Sequence, residues 1–268
     1  MIVKHTEMIN NNTNSGYLRL NTITIGAITQ TNLTVLNDLK ITPGVKYNLN
    51  ITVNPTDEYL THQEQSAARI NGKIWMRNNL GATSDTPDVL SAATAGNYYQ
   101  WGRIPSIASG TATTSSNYYG FYDTPVDAWN SGTESDPVKT TNDPCPTGYR
   151  VPTRTELQDL VEATTGSELG NWAENTTNYT AGLVLTSKRN SSIKLTLPLQ
   201  GYFVPTGGTT LPHTYTFVNR GRIYWYLSST RIGTGSNTSY VLGSSATTPR
   251  VFISNSIGFG GNIRCIAQ

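Results

Sequence analysis

The sequence predicts an α+β protein with long loops, and three observations carry that expectation. Apolar and polar residues alternate over about 1–55 and again beyond residue 182, the period of half-buried strands. Between those regions one capped, amphipathic helix is legible, starting at Thr153. The stretch 79–148 is dominated by Gly, Ser, Thr, Pro and Tyr, and a segment of that length fits a compact domain only if it is layered over a scaffold. Strands on both sides of a helix, with long connections, belong to the α+β class.

Composition narrows the function classes. Of 268 residues, 36% are hydrophobic and only 13% charged, enough to bury one large core or two smaller ones. The 19 basic and 17 acidic residues nearly cancel to +2, which argues against nucleic acid or an anionic membrane surface as partner. No apolar run approaches the roughly 18 residues needed to span a bilayer. The start, Met1-Ile2-Val3-Lys4-His5, has no apolar signal core, so no export signal is read there. Thr and Asn form about a quarter of the chain, well above ordinary usage. Such an uncharged polar surface is more common outside cells.

In chain order, residues 1–55 contain three strand-like runs at 17–25, 33–36 and 45–53. The last is the clearest, with Val45, Tyr47, Leu49, Ile51 and Val53 on one face, after a Pro43-Gly44 pair suited to a type II turn. Three strands leave two edges and an apolar face open. The segment is therefore expected to end a β-sandwich begun upstream, or to dock on the second domain. Residues 56–69 are polar without a period and read as a linker. A larger domain, 70–268, opens with a strand around Ile74-Trp75-Met76. Its helix comes after Pro152: Thr153 and Glu156 have capping-box spacing, Leu157, Leu160 and Val161 make the apolar stripe, and Gly166 is the expected stop. Glu156, Asp159 and Glu162 are expected on its solvated face. Strands are expected again at 183–186, 193–197, 223–228, 239–242, 251–253 and 263–266.

Six ordered motifs within 70–268 carry a family resemblance. They are Ile74-Trp75-Met76-Arg77-Asn78-Asn79-Leu80-Gly81, Asn97-Tyr98-Tyr99-Gln100-Trp101-Gly102-Arg103, Asp143-Pro144-Cys145-Pro146-Thr147-Gly148-Tyr149-Arg150-Val151-Pro152-Thr153, Leu197-Pro198-Leu199-Gln200-Gly201-Tyr202, Tyr224-Trp225-Tyr226-Leu227-Ser228-Ser229 and Gly258-Phe259-Gly260-Gly261-Asn262-Ile263-Arg264-Cys265. The series resembles the Fibrobacter succinogenes major paralogous domain of Bacteroidetes surface proteins. That resemblance implies a C-type-lectin-like fold near that of formylglycine-generating enzymes. Leu39 through Ile51 looks like the final strands of a fimbrillin-type domain, although most of such a domain is missing. Together they imply a cell-surface or pilus-tip adhesin, with a protein or glycan ligand and other pilus subunits as partners. A structural fimbrial subunit without its own ligand is one alternative, and an oxidoreductase of the formylglycine-generating type is the other.

In related proteins the last fifty or so residues can be a variable region, diversified at adenines by a retroelement. Residues 224–265 resemble one, with recognisable ends around residues that follow no apolar pattern. Tyr226, Arg231, Asn237, Tyr240, Arg250, Phe252 and Asn255 are the expected ligand contacts, because such side chains make the adaptable contacts of antibody loops. Ordinary solvated loops in a Thr- and Asn-rich protein are the competing reading.

Cys145 and Cys265, the only cysteines, could form a disulfide or a reactive pair like that of the formylglycine-generating relatives. Export would favour the bridge, which is the expectation. An enzyme is not expected, nor any cofactor. His5, His62 and His213 lack ligand spacing for zinc. Glu134 and Asp136, with Asp123 and Asp127 nearby, fall short of a calcium loop. The triplets of calcium-dependent sugar-binding lectins are absent, so a lectin-like fold would not by itself imply sugar binding. Trp75 and Trp225 are expected in the core; Trp101 and Trp129 are expected to pack beneath loops rather than serve as ligand platforms.

Overall fold

A computed structural model describes residues 18–25, 28–36, 55–117, 124–206, 214–233, 236–254 and 256–268. The chain divides into two compact units, Met1–Pro55 and Thr56–Gln268. In the first, Leu18–Ile25 and Ile28–Leu36 form an antiparallel hairpin with a register shift between Leu18 and Arg19. The expected 45–53 strand and its Pro43-Gly44 turn lie outside the described residues.

The second unit overturns the α+β, C-type-lectin-like expectation. It is nearly all β, with one ten-residue α-helix, Arg154–Ala163, and a single 3-10 turn, Ala92–Thr94, among the described residues. Its described strands form four sheets. One has the order Glu58–His62, Gln65–Ile70, Lys73–Met76, Ile266–Ala267 and Tyr149–Arg150. A second has the order Ser106–Ala108, Tyr98–Gln100, Gly260–Gly261, Tyr202–Thr206, Thr214–Val218 and Thr114–Ser115. Two three-stranded antiparallel sheets complete the unit, Thr164–Leu169 with Gly182–Ser187 and Lys194–Pro198, and Tyr224–Arg231 with Ser239–Ser244 and Val251–Ile253.

The difference has a physical cause. Strands of two or three residues, such as Tyr98–Gln100 and Ser106–Ala108, are too short to show a period, so 79–148 reads as loop. They are strands because distant partners complete them: Gly260 pairs with both Gln100 and Phe203. The expected linker is likewise a hairpin, Glu58 opposite Arg69 and His62 opposite Gln65. Its Ala67 and Ala68 are fully buried, and small side chains give little apolar signal for that burial.

The helix forms where its cap predicts. Thr153 Oγ1 accepts from Glu156 N at 3.2 Å, and Thr153 N donates to Glu156 Oε2 at 2.9 Å. Leu157 and Leu160 enter the first apolar cluster, with Trp75, Leu183, Leu195, Leu197, Tyr224, Tyr226 and Leu242. Two details differ from expectation. The helix ends at Ala163, before the β-branched pair Thr164-Thr165, and Gly166 lies inside the next strand. Glu156 is buried, not solvated, in a two-bond pair with the Arg150 guanidinium at 2.6 Å for each bond. A second cluster holds Met76, Trp101, Trp129, Tyr149, Trp225, Leu227, Val241 and both cysteines. Trp101 and Trp129 are core, as packing beneath loops requires. Tyr98, Ile107, Phe203 and Tyr215 make a third.

Candidate binding surface

Apart from Asn255, the expected contacts fall on the strands of the Tyr224–Ile253 sheet or on the connections between them, and this sheet is clamped between the first two clusters. Successive side chains of a strand point to opposite faces. Tyr224, Tyr226 and Leu242 enter the first cluster; Trp225, Leu227 and Val241 enter the second. A strand buried on both faces shows no alternation of apolar and polar residues, which is why this region reads as patternless. The clamp corrects one predicted contact. Tyr226 is 1% exposed and its hydroxyl donates to Pro198 O at 3.3 Å, so it is a core residue that cannot meet a ligand.

Three predicted contacts gather at one end of the sheet. Arg231 is half-buried: Nε donates to Ser236 O at 2.7 Å, Nη1 to Thr124 O, and Nη2 to Asn237 Oδ1 at 3.4 Å. Its guanidinium lies 5.7 Å from the Trp101 ring centre, and burial lowers its pKa from the ordinary value. Tyr240, also half-buried, carries the Arg154 guanidinium 4.5 Å from its ring centre. Thr230 Oγ1 accepts from Arg154 N at 2.8 Å and donates to Glu134, whose other oxygen accepts from Thr155 N at 2.9 Å. Glu134, Arg154, Thr230 and Thr124 are thus parts of this end that sequence reasoning does not assign to it. In the sequence Glu134 suggests only a calcium ligand, and no local pattern reveals that it docks on a helix N-terminus.

Arg250 and Phe252 are not part of that group. Arg250 is exposed at the opposite end, where its carbonyl accepts from Gly243 N at 3.0 Å. Three residues of strand separate Tyr240 from Gly243, roughly 10 Å. Near Arg250, the Tyr224 hydroxyl donates to Ala246 O at 3.2 Å and burial pushes its pKa up to about 12. Phe252 packs edge-on against Trp225, 5.3 Å between ring centres. Asn255 lies outside the described residues.

Cys145 and Cys265 are joined in a disulfide, with Cα atoms 6.0 Å apart. Beside it the buried Asp143 carboxylate accepts from Cys145 N at 2.8 Å, Val151 N at 2.7 Å and Lys139 Nζ at 3.2 Å. Burial nevertheless leaves its pKa above the ordinary value. His62 packs edge-on to Tyr149 at 5.2 Å. Among the described residues no three His, Cys, Asp or Glu side chains are grouped to hold a metal ion. No helix among them is long and apolar enough to cross a membrane.

Compared with known families, residues 68–267 match the model of the Fibrobacter succinogenes major domain. The chain belongs to this family. The matched span starts at Ala68, in the hairpin that opens the five-stranded sheet, and ends at Ala267 in that sheet's C-terminal strand. The Fibrobacter succinogenes major domain here therefore draws on all four sheets of the second unit. No curated protein and no solved structure matches the chain.

Proposed function

We propose that this family member is a non-enzymatic binding protein of the cell surface or pilus, which meets a protein or glycan ligand at the ends of the Tyr224–Ile253 sheet. One observation carries the reading. A sheet held rigidly between two apolar clusters gathers Arg231, Asn237 and Tyr240 at one end, with their neighbours hydrogen-bonded to the frame. Rigid support for a polar, aromatic contact set is what a binding surface requires. The disulfide consumes both thiols, which removes the group that formylglycine-generating chemistry would use and suits an oxidising, extracellular location.

The test is attachment of beads coated with the full chain to a panel of bacterial and host cells. Replacing Arg231, Asn237 and Tyr240 together by Ala should reduce attachment by about tenfold or more, given typical contact energies, with the melting temperature checked in parallel. Undiminished attachment by a folded triple variant would reject this surface, and no attachment by the unaltered chain would favour a structural fimbrial subunit without its own ligand. Thiol titration of denatured, unreduced protein should find no reactive cysteine.

A further inference from the structure

We infer that Lys139, together with Asp143, is a positioning residue for the disulfide, holding Cys145 in the reduced, folded chain where Cys265 can close the bond. The two cysteines are placed by different means. Cys265 is set by backbone: its carbonyl accepts from Met76 N at 3.0 Å, and the next two residues are the Ile266–Ala267 strand. Cys145 has no such ladder. It stands between Pro144 and Pro146, which carry no N–H, in a stretch, 140–148, that contains neither helix nor strand. Two side chains hold it instead. The Asp143 carboxylate accepts from Cys145 N at 2.8 Å and from Val151 N at 2.7 Å. The Lys139 ammonium donates to Cys145 O, to Tyr149 O at 2.6 Å, to Pro146 O at 3.3 Å and to Asp143 Oδ1 at 3.2 Å. Lys139 is itself anchored, facing Asn130 in an antiparallel bridge, while Thr140 N donates to Trp129 O at 3.4 Å.

The arrangement exceeds what burial of a lysine requires. The Asp143 side chain is fully buried and that of Lys139 mostly so, and a buried cation needs a partner. Asp143 alone meets that need. The three carbonyls that Lys139 also takes come from Cys145 itself and from residues just beyond it, so one ammonium gathers the loop onto a single point. Four oxygens share its three N–H donors, which holds the loop from several directions. None of these bonds uses a sulfur, so all of them can persist when the bridge is open. The thiols then meet at a high effective concentration. Without Lys139 the reduced loop gains freedom that bond formation must take away again, and the bridge becomes easier to reduce. In the exchange, one cysteine thiolate attacks a disulfide reagent and expels one of its sulfurs as a thiolate. The other cysteine thiolate then attacks the protein sulfur of that mixed disulfide and expels the second. Two thiol protons and two electrons pass to the reagent, which leaves as a dithiol. Lys139 takes no part in the transfer and acts only through the place of Cys145.

The test equilibrates the full chain with graded mixtures of oxidised and reduced dithiothreitol and counts the free thiols. Trimethylamine oxide, an osmolyte that favours compact states, is added to all samples. Tryptophan fluorescence, to which Trp129 in the cysteines' own cluster contributes, reports whether the reduced chain stays folded. Lys139→Met keeps the stem and removes the ammonium; Asp143→Asn removes the charge it meets and serves if the first variant does not fold. Each should shift the equilibrium toward the dithiol by about tenfold, which for this two-electron couple is ~30 mV. Gly166→Ala, in a different sheet, is the control, because its Cβ would strike the Thr247 carbonyl. It should lower resistance to urea and leave the thiol equilibrium of the folded chain unchanged. Variants of Lys139 or Asp143 that lose urea resistance yet keep the wild-type equilibrium would reduce the pair to ordinary packing and overturn the inference. So would a reduced wild-type chain that unfolds in the osmolyte, since no loop would then be held ready.

Discussion

At the scale of single residues, the decisive quantity is burial, and two side chains show how far it can depart from local pattern. Tyr226 is a reasonable contact by type, yet it is closed in by both its strand and Pro198. Tyr226→Ala should cost about 3–5 kcal/mol, the usual range for removing a buried aromatic ring, as measured by urea unfolding. Lost attachment in that variant would then report unfolding, not a lost contact. Glu156 shows the electrostatic side. Burial alone would raise its pKa, but hydrogen bonds from Arg150 and Thr153 N, with the charges of Arg150 and Lys73, outweigh this and hold it below the ordinary value. Its contribution to stability is therefore present above the ordinary carboxylate range and lost as pH falls through the lowered value. Asp143, raised by burial, has the opposite sign: its contribution is present below the ordinary value and lost as pH rises through the raised one. Glu156→Gln leaves the Arg150 charge unpaired inside the protein and should cost about 3 kcal/mol near pH 7. The gap from wild type should narrow toward pH ~3. An equal gap at both pH values would remove Glu156 from the acid response.

At the scale of elements, the features legible in the sequence are those decided locally. The Thr153 cap, the Leu157 and Leu160 stripe and the strands expected at 183–186 and 223–228 depend on neighbours within a few residues; the cap and stripe are present, and the strands are Gly182–Ser187 and Tyr224–Arg231. The short strands Tyr98–Gln100 and Gly260–Gly261 leave no periodic trace and are completed by each other across about 160 residues of chain. The proposed binding surface divides in the same way. Arg231, Asn237 and Tyr240 are close in the chain and stay together, whereas Glu134 and Arg154 join them only by folding. Gly166 belongs to this second group. It reads as a helix stop, but it allows the Thr164–Leu169 strand to approach the Thr247 carbonyl, which a Cβ would strike. Gly166→Ala should therefore push away the loop beyond Ser244 and destabilise by about 1–3 kcal/mol. The helix itself should keep its circular dichroism signal. A helix lost on this substitution would return Gly166 to the role of stop signal.

For the whole molecule, the fold of the second unit depends on closing its end onto its beginning. The Ile266–Ala267 strand lies between Lys73–Met76 and Tyr149–Arg150, so the last residues complete a sheet started at Glu58. Met76 N donates to Cys265 O and Gln268 N to Gly148 O, both at 3.0 Å, but two short pairings alone hold a C-terminal strand weakly. The disulfide to Cys145 adds the missing constraint, because it spans 120 residues and limits how far the unfolded chain can expand. In the chain-entropy model a loop of that length is worth about 5 kcal/mol. Domain stabilities are commonly about 5–15 kcal/mol, so the bridge is a large share of the force holding this unit together. Replacing both cysteines by Ser should lower the unfolding free energy of the full chain by several kcal/mol, and reductant should do the same to the native protein. The urea slope should rise as well, since the reduced unfolded chain exposes more surface. A change below about 1 kcal/mol would mean that packing of Cys265 among Trp129, Tyr149 and Ile263 suffices without the covalent link. The expected large loss instead ties folding of the second unit to an oxidising environment, since the bridge secures the C-terminal stretch that completes its five-stranded sheet.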